Sequence, residues 1–291
     1  MAPDLSLGGT IAPPSFQSLY LRFKFGETQL ASGTGFLAET SIGAALITAR
    51  HNLTGRHHET STCLHAQGGV PDAVEIFHNG FAHGLNVTKT EVLLNADGTP
   101  CWMEHRTLGD SCDVAALPLQ DLSGVILAPY GRQEKYPDIA VKIAEPISVV
   151  GFPMGQSAGA MYGIWCTGYI ASEPSQDFAG QPKFLVDCRT RPGQSGSPVI
   201  AYRNDSFKSQ HGGMTFGSGH FFRPLGVYTG RIHADADIGV VWKWSVVEDL
   251  MVQCDLHVAR RLQDSMMKFG RDSSEFAVEL KRLNLELREL R

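Results

Sequence analysis

The architecture this sequence predicts is an all-β body that ends in helices. Two observations carry that expectation. Short alternating or apolar runs, separated by turn residues and long polar excursions, fill the chain as far as residue 244, and almost nothing there keeps a helical period for more than two turns. Helix signals gather only afterwards. Long polar excursions between short strands fit a barrel or sandwich whose loops carry function.

The elements follow in order. An N-terminal arm, 1–18, precedes "LYLRFKFG", which sets Leu19, Leu21, Phe23 and Phe25 on one side of a half-buried strand. "QLASGTGFLAE" and "AALITAR" continue as an antiparallel meander. Residues 54–90 turn to histidine, glycine and polar residues and read as an insertion in a first half spanning 19–120. "EVLLNADG", "CWMEHR" and "CDVAALPL" resume strand patterns. The second half, 121–244, contains "PISVVGFPMG", "MYGIWCTGYIAS", "PKFLVDC", "FRPLGVYTGRIHAD" and "IGVVWKW". A helix is predicted over 245–270, opened by Ser245 and Glu248 at capping-box spacing and stopped by Gly270. A second helix, 271–291, carries Phe276, Leu280, Leu283, Leu287 and Leu290 along one stripe. It would pack on its own domain, or meet a regulatory partner or a second copy.

Composition narrows the function. Twenty-five basic residues against 30 acidic give a formal charge of −5, which offers no general attraction to nucleic acid or an anionic membrane. No apolar stretch reaches the length of a membrane span, and "MAPDLSLGGT" has no basic cluster leading into an apolar run. No membrane partner and a cytoplasmic location are therefore expected. The six cysteines are scattered, with no CxxC, and fit reduced and mostly buried thiols. His57, His58, Cys63 and His65, with His78, His83, Cys101 and His105 further on, are metal-ligating types, but their spacing matches no compact zinc site. Neither metal nor cofactor is expected.

The chemistry concentrates in "RTRPGQSGSPVIAY", where glycines and prolines crowd around Ser195 before an apolar strand. A nucleophilic serine needs a base, a carboxylate to orient it, and backbone N–H groups aimed at the oxyanion. His51, directly after the run "ALITAR", is the candidate base. Asp113, at the head of an apolar run that would carry its carboxylate into the core, is favoured over Asp110 as orienter. The N–H groups of Gly193 and Ser195 would form the oxyanion hole. The chain order His, Asp, Ser also argues against an α/β-hydrolase, where the serine comes first.

Four blocks, "SGTGFLA", "LITARHNL", "DVAALPL" and "DCRTRPGQSGSPV", resemble in order those of chymotrypsin-fold, trypsin-like serine peptidases. The likeness runs over about residues 19–255 and is greatest to the bacterial glutamyl-endopeptidase-like and HtrA-like branches. The resemblance implies a double six-stranded antiparallel β-barrel with C-terminal helices and a cleft between the halves. It implies a serine endopeptidase with His51 as base, Asp113 as orienter and Ser195 as nucleophile, acting on protein or peptide substrates. It also marks "PLGVYTG" as the edge that pairs with the substrate backbone, with Gly226, Tyr228 and Gly230 near the primary specificity pocket. Arg189 and Thr190 would contribute to that pocket, leaving acidic and small or apolar P1 residues open. Two departures stand out. Gln194 occupies the place of the aspartate that pairs with a new N-terminus in proteolytically matured relatives, and Asn52 that of a cysteine beside the histidine. The alternative function is a protease-shaped peptide-binding or scaffold protein, latent or inactive without a partner.

Overall fold

The computed structural model describes residues 11–40, 43–81, 84–233, 235–269 and 274. Most of the arm, His83 and, apart from Ser274, the 271–291 segment with its apolar stripe lie outside the described residues.

A short helix, α1 (Pro13–Gln17), leads into β1 (Ser18–Phe25), β2 (Thr28–Thr40) and β3 (Gly43–Ala49). In β1 the alternation holds for Leu19, Leu21 and Phe23, which are buried, and fails at Phe25, which is exposed beside the turn. After the one-turn helix α2 (Arg50–Thr54) come β4 (Ala73–Asn79), β5 (Asn86–Val92), β6 (Met103–Glu104) and β7 (Val114–Pro118). These strands form one sheet in the order β5-β4-β1-β2-β3-β7-β6.

This corrects the expected double six-stranded barrel. The first half is a seven-stranded open sheet. Its outer strands are β5, paired only to β4, and the two-residue β6, paired only to β7. Closing a sheet requires the edge strands to meet in consistent stagger and tilt, and a two-residue edge strand offers little to pair with. The stretch 54–90 contains β4 and the start of β5, and β4 pairs along β1 from Tyr20↔Phe77 to Lys24↔Ala73. Val74, Ile76 and His78 alternate inward and are buried, so this stretch contributes to the first core rather than only decorating it.

The second half contains β8 (Pro146–Gly151), β9 (Ile164–Ile170), β10 (Lys183–Asp187), β11 (Ser197–Lys208), β12 (Met214–Arg231) and β13 (Ile238–Lys243). They follow the order β10-β13-β12-β11-β8-β9, and β9 returns to β10 through only Val186↔Ile170 and Asp187↔Tyr169. The helix α3 (Trp244–Phe269) completes the described chain, so the body is not all-β. Ser245 lies inside α3, and Glu248 is not reaching back to it: its Oε1 accepts the Gln133 N–H at 2.7 Å. The predicted capping box is therefore replaced by a long-range bond.

Three apolar clusters hold the fold. One fills the first half around Leu21, Leu46 and Ile76, and another fills the second around Val149, Phe184 and Val199. The third joins the halves: Phe36 and Ile47 meet Ile200 and Trp242, and α3 seals it with Val247, Leu250 and Met251. That shared core fixes the two halves against each other at the site.

No described helix is long and apolar enough to cross a membrane. Cys112, Cys188 and Cys254 are buried, and burial pushes each thiol up to about 12, which suppresses the reactive thiolate.

Candidate active site

The site begins where two neighbouring strands end together. β3 and β7 are antiparallel, with Ala49 opposite Val114, and the Arg50 N–H continues the ladder to the Asp113 carbonyl at 3.1 Å. The chain then turns into α2. Gly55, in the left-handed region at φ +63°, ends that turn by donating to the His51 carbonyl. His51 is thereby placed over Asp113. Its Nδ1 lies 2.8 Å from Asp113 Oδ2, and its own N–H donates to Asp113 Oδ1 at 3.0 Å. Both carboxylate oxygens thus hold one residue, and the carboxylate is almost wholly buried. Asp110, the competing carboxylate, is exposed in a 3-10 turn over Gly109–Ser111.

Ser195 sits in the loop between β10 and β11. Two glycines allow its tight path: Gly193 at φ +93° and Gly196 at φ +89°. A Cβ on Gly196 would collide with the Thr34 carbonyl and Thr48 Oγ1, and one on Gly193 would lie 2.5 Å from the Phe152 carbonyl. The Ser195 carbonyl accepts the Thr34 N–H at 3.0 Å and Asn52 Nδ2 at 2.9 Å. Asn52 Nδ2 also donates to Thr48 Oγ1, which donates to the Thr34 carbonyl. Thr34 Oγ1 donates to the Gly193 carbonyl at 2.8 Å. The first half therefore grips the serine loop through buried hydroxyls and the amide next to His51.

Gln194 is fully buried. Its Oε1 accepts the Arg191 N–H at 2.8 Å, bracing the loop from within, while its Nε2 has no partner. Among the described residues neither the Gly193 nor the Ser195 N–H donates to an acceptor. The Ser195 hydroxyl donates to the Thr229 carbonyl at 3.1 Å.

Beside these groups lies a cavity of about 610 Å³. His51, Asp113, Thr229 and Gly230 border it, and so do Lys183, Arg231 and Trp242. Gly230 is the only one of the predicted pocket residues in this lining. Arg189 points away: its side chain is 84% exposed, with Nε 3.9 Å from Asp237 Oδ2. It supplies no positive base for a P1 pocket. Thr190 and Tyr228 are buried and bonded to each other through their hydroxyls, and burial pushes the Tyr228 phenol up to about 12. Gly226 serves packing, since a Cβ there would strike the Trp242 carbonyl.

Sequence reasoning passed over Thr34, Thr48 and Lys183, and weighed His58 only as a metal ligand. Thr34 lies within the block "SGTGFLA", so its position was visible although its bonds were not. Among the described residues no three metal-ligating side chains gather.

The chain belongs to the trypsin-like peptidase domain family, whose model matches residues 33–206. Among solved structures it is similar to a serine endoprotease from Yersinia pestis, at 11% identity and a TM-score of 0.47, over 83% of this chain and 64% of that one. It is also similar to the active form of the Rv3671c protease from M. tuberculosis, at 15% identity and a TM-score of 0.44, over 82% and 81% of the two chains. An inactive form of Rv3671c from the H37Rv strain gives 17% identity and a TM-score of 0.43, over 83% and 86%. No curated protein matches the chain.

Proposed function

We propose that the protein is a serine endopeptidase working through His51, Asp113 and Ser195. The observation that carries this reading is the double hold of Asp113 on His51, next to an asparagine that binds the Ser195 carbonyl. With Asp113 accepting from Nδ1–H, the other imidazole nitrogen is left as the base. Ser195 Oγ would leave the Thr229 carbonyl, pass its proton to His51 and attack the scissile carbonyl. The N–H groups of Gly193 and Ser195 would hold the oxyanion. His51 then protonates the departing amine, and water cleaves the acyl-enzyme by the same route. The peptide on the acyl side would lie along residues 229–231 as an added strand.

One contact favours a second reading, a peptide-binding protein that stays latent until a partner acts. The Ser195 hydroxyl is bonded to Thr229 and not to His51.

Labelling the full chain with a fluorophosphonate and reading intact mass separates the two. A single adduct, lost in Ser195→Ala and formed roughly 10⁴-fold more slowly in Asp113→Asn, is the expected result for the enzyme. A folded chain that takes no adduct is the latent binder.

A further inference from the structure

The cavity beside His51 is lined by more cationic and imidazole groups than carboxylates. Lys183 and Arg231 both border it, and neither has a carboxylate within 4.0 Å among the described residues. His57, His58 and His233 add three imidazoles to the same wall. Only two carboxylates line it. Asp113 is committed to His51, and Glu59 is exposed at the rim.

Lys183 is held against an aromatic ring, whereas Arg231 is exposed. The Lys183 ammonium lies 5.2 Å from the centre of the buried Trp242 ring, and partial burial pulls its pKa below the usual lysine value. His58 packs edge-on against the same indole at 6.4 Å. Its Nδ1 is buried without a hydrogen-bond partner, 3.9 Å from Asp113 Oδ1. A cation on an apolar wall gains from an acceptor brought in from outside.

The neighbouring backbone supplies the route. β12 pairs with β11 only as far as Ser197↔Tyr228, and beyond that Gly230 and Arg231 pair with β13 alone. The other side of 229–231 is a free strand edge that begins where Thr229 holds the Ser195 hydroxyl. A peptide added there runs past Lys183 and Arg231.

We propose that this cavity is a subsite for a carboxylate side chain, an aspartate or glutamate two to four residues on the N-terminal side of the scissile bond. The inference rests on the peptidase reading for where the peptide lies, but binding can be read without catalysis.

The test uses full-length Ser195→Ala chain and fluorescent peptides of one P1 residue, carrying Glu or Gln at P2, P3 or P4 in turn, followed by anisotropy. At one of these positions Glu is expected to bind about tenfold tighter than Gln, the gain of one charge-assisted contact. The ratio should fall to about twofold or less in Lys183→Met, and in Lys183→Glu the preference should pass to a Lys peptide. Melting temperature establishes that each variant is folded. Equal affinities for Glu and Gln at all three positions, or no binding by any peptide, overturn the proposal. Fluorophosphonate labelling keeps the two claims apart. An adduct on Ser195 with equal affinities sinks the carboxylate subsite alone, and a tenfold ratio without an adduct sinks the hydrolytic reading alone.

Discussion

The floor beneath Ser195 and the wall of the neighbouring cavity are built in opposite ways. Under the serine, Thr34, Thr48 and Asn52 are joined to the loop backbone and to one another by short hydrogen bonds. Along the wall, among the described residues, His58 Nδ1 makes no hydrogen bond and no carboxylate lies within 4.0 Å of Lys183 or Arg231. The floor spends its polar groups on stability and position. The wall keeps its polar groups available for a ligand.

Breaking the floor should therefore cost folding free energy, and altering the wall should not. Gly196→Ala is expected to have the largest effect, at least about 3 kcal/mol, because it combines a positive φ with a collision against backbone. Urea unfolding measures it, and a loss below 1 kcal/mol would mean that the loop is looser than described. Asn52→Ala comes next. It removes donors to Thr48 and to the Ser195 carbonyl, for about 1–2 kcal/mol together with slower labelling of Ser195. Stability lost without any change in labelling rate would confine Asn52 to the core. Arg231→Ala is the smallest, within about 0.5 kcal/mol of the parent. A larger loss would show that the wall carries structural load, and the contrast between the two regions would fail.

The same contrast explains what the sequence made legible. His51, Asp113 and Ser195 stand at the ends of apolar runs, and a run that ends at the core positions its last residue by local geometry alone. The glycines around Ser195 were readable because only glycine tolerates those angles. Arg189 was not. Whether it faces a pocket or the solvent depends on Asp237, which approaches it from another strand connection. Lys183 and His58 are brought together by Trp242, far from either in sequence, so no local pattern joins them. The open first sheet was hidden for a related reason. β6 is too short to carry a pattern, and β4 follows a polar stretch that masks its alternation. The capping box expected at Ser245 was a local signal overridden by a partner more than a hundred residues away, Gln133.

Asn52 and the Ser195 carbonyl are 143 residues apart in the chain, and their bond crosses from one half to the other. A polypeptide emerging from the ribosome has His51 and Asp113 long before it has Ser195, and domains take shape from the N-terminus first. The first sheet can form while the serine loop is still unmade. Activity is thus deferred until the serine loop has been made and docked on the first half, and a peptidase assembled in that order passes through the synthesis of its first half with no means of cutting the chain it is becoming.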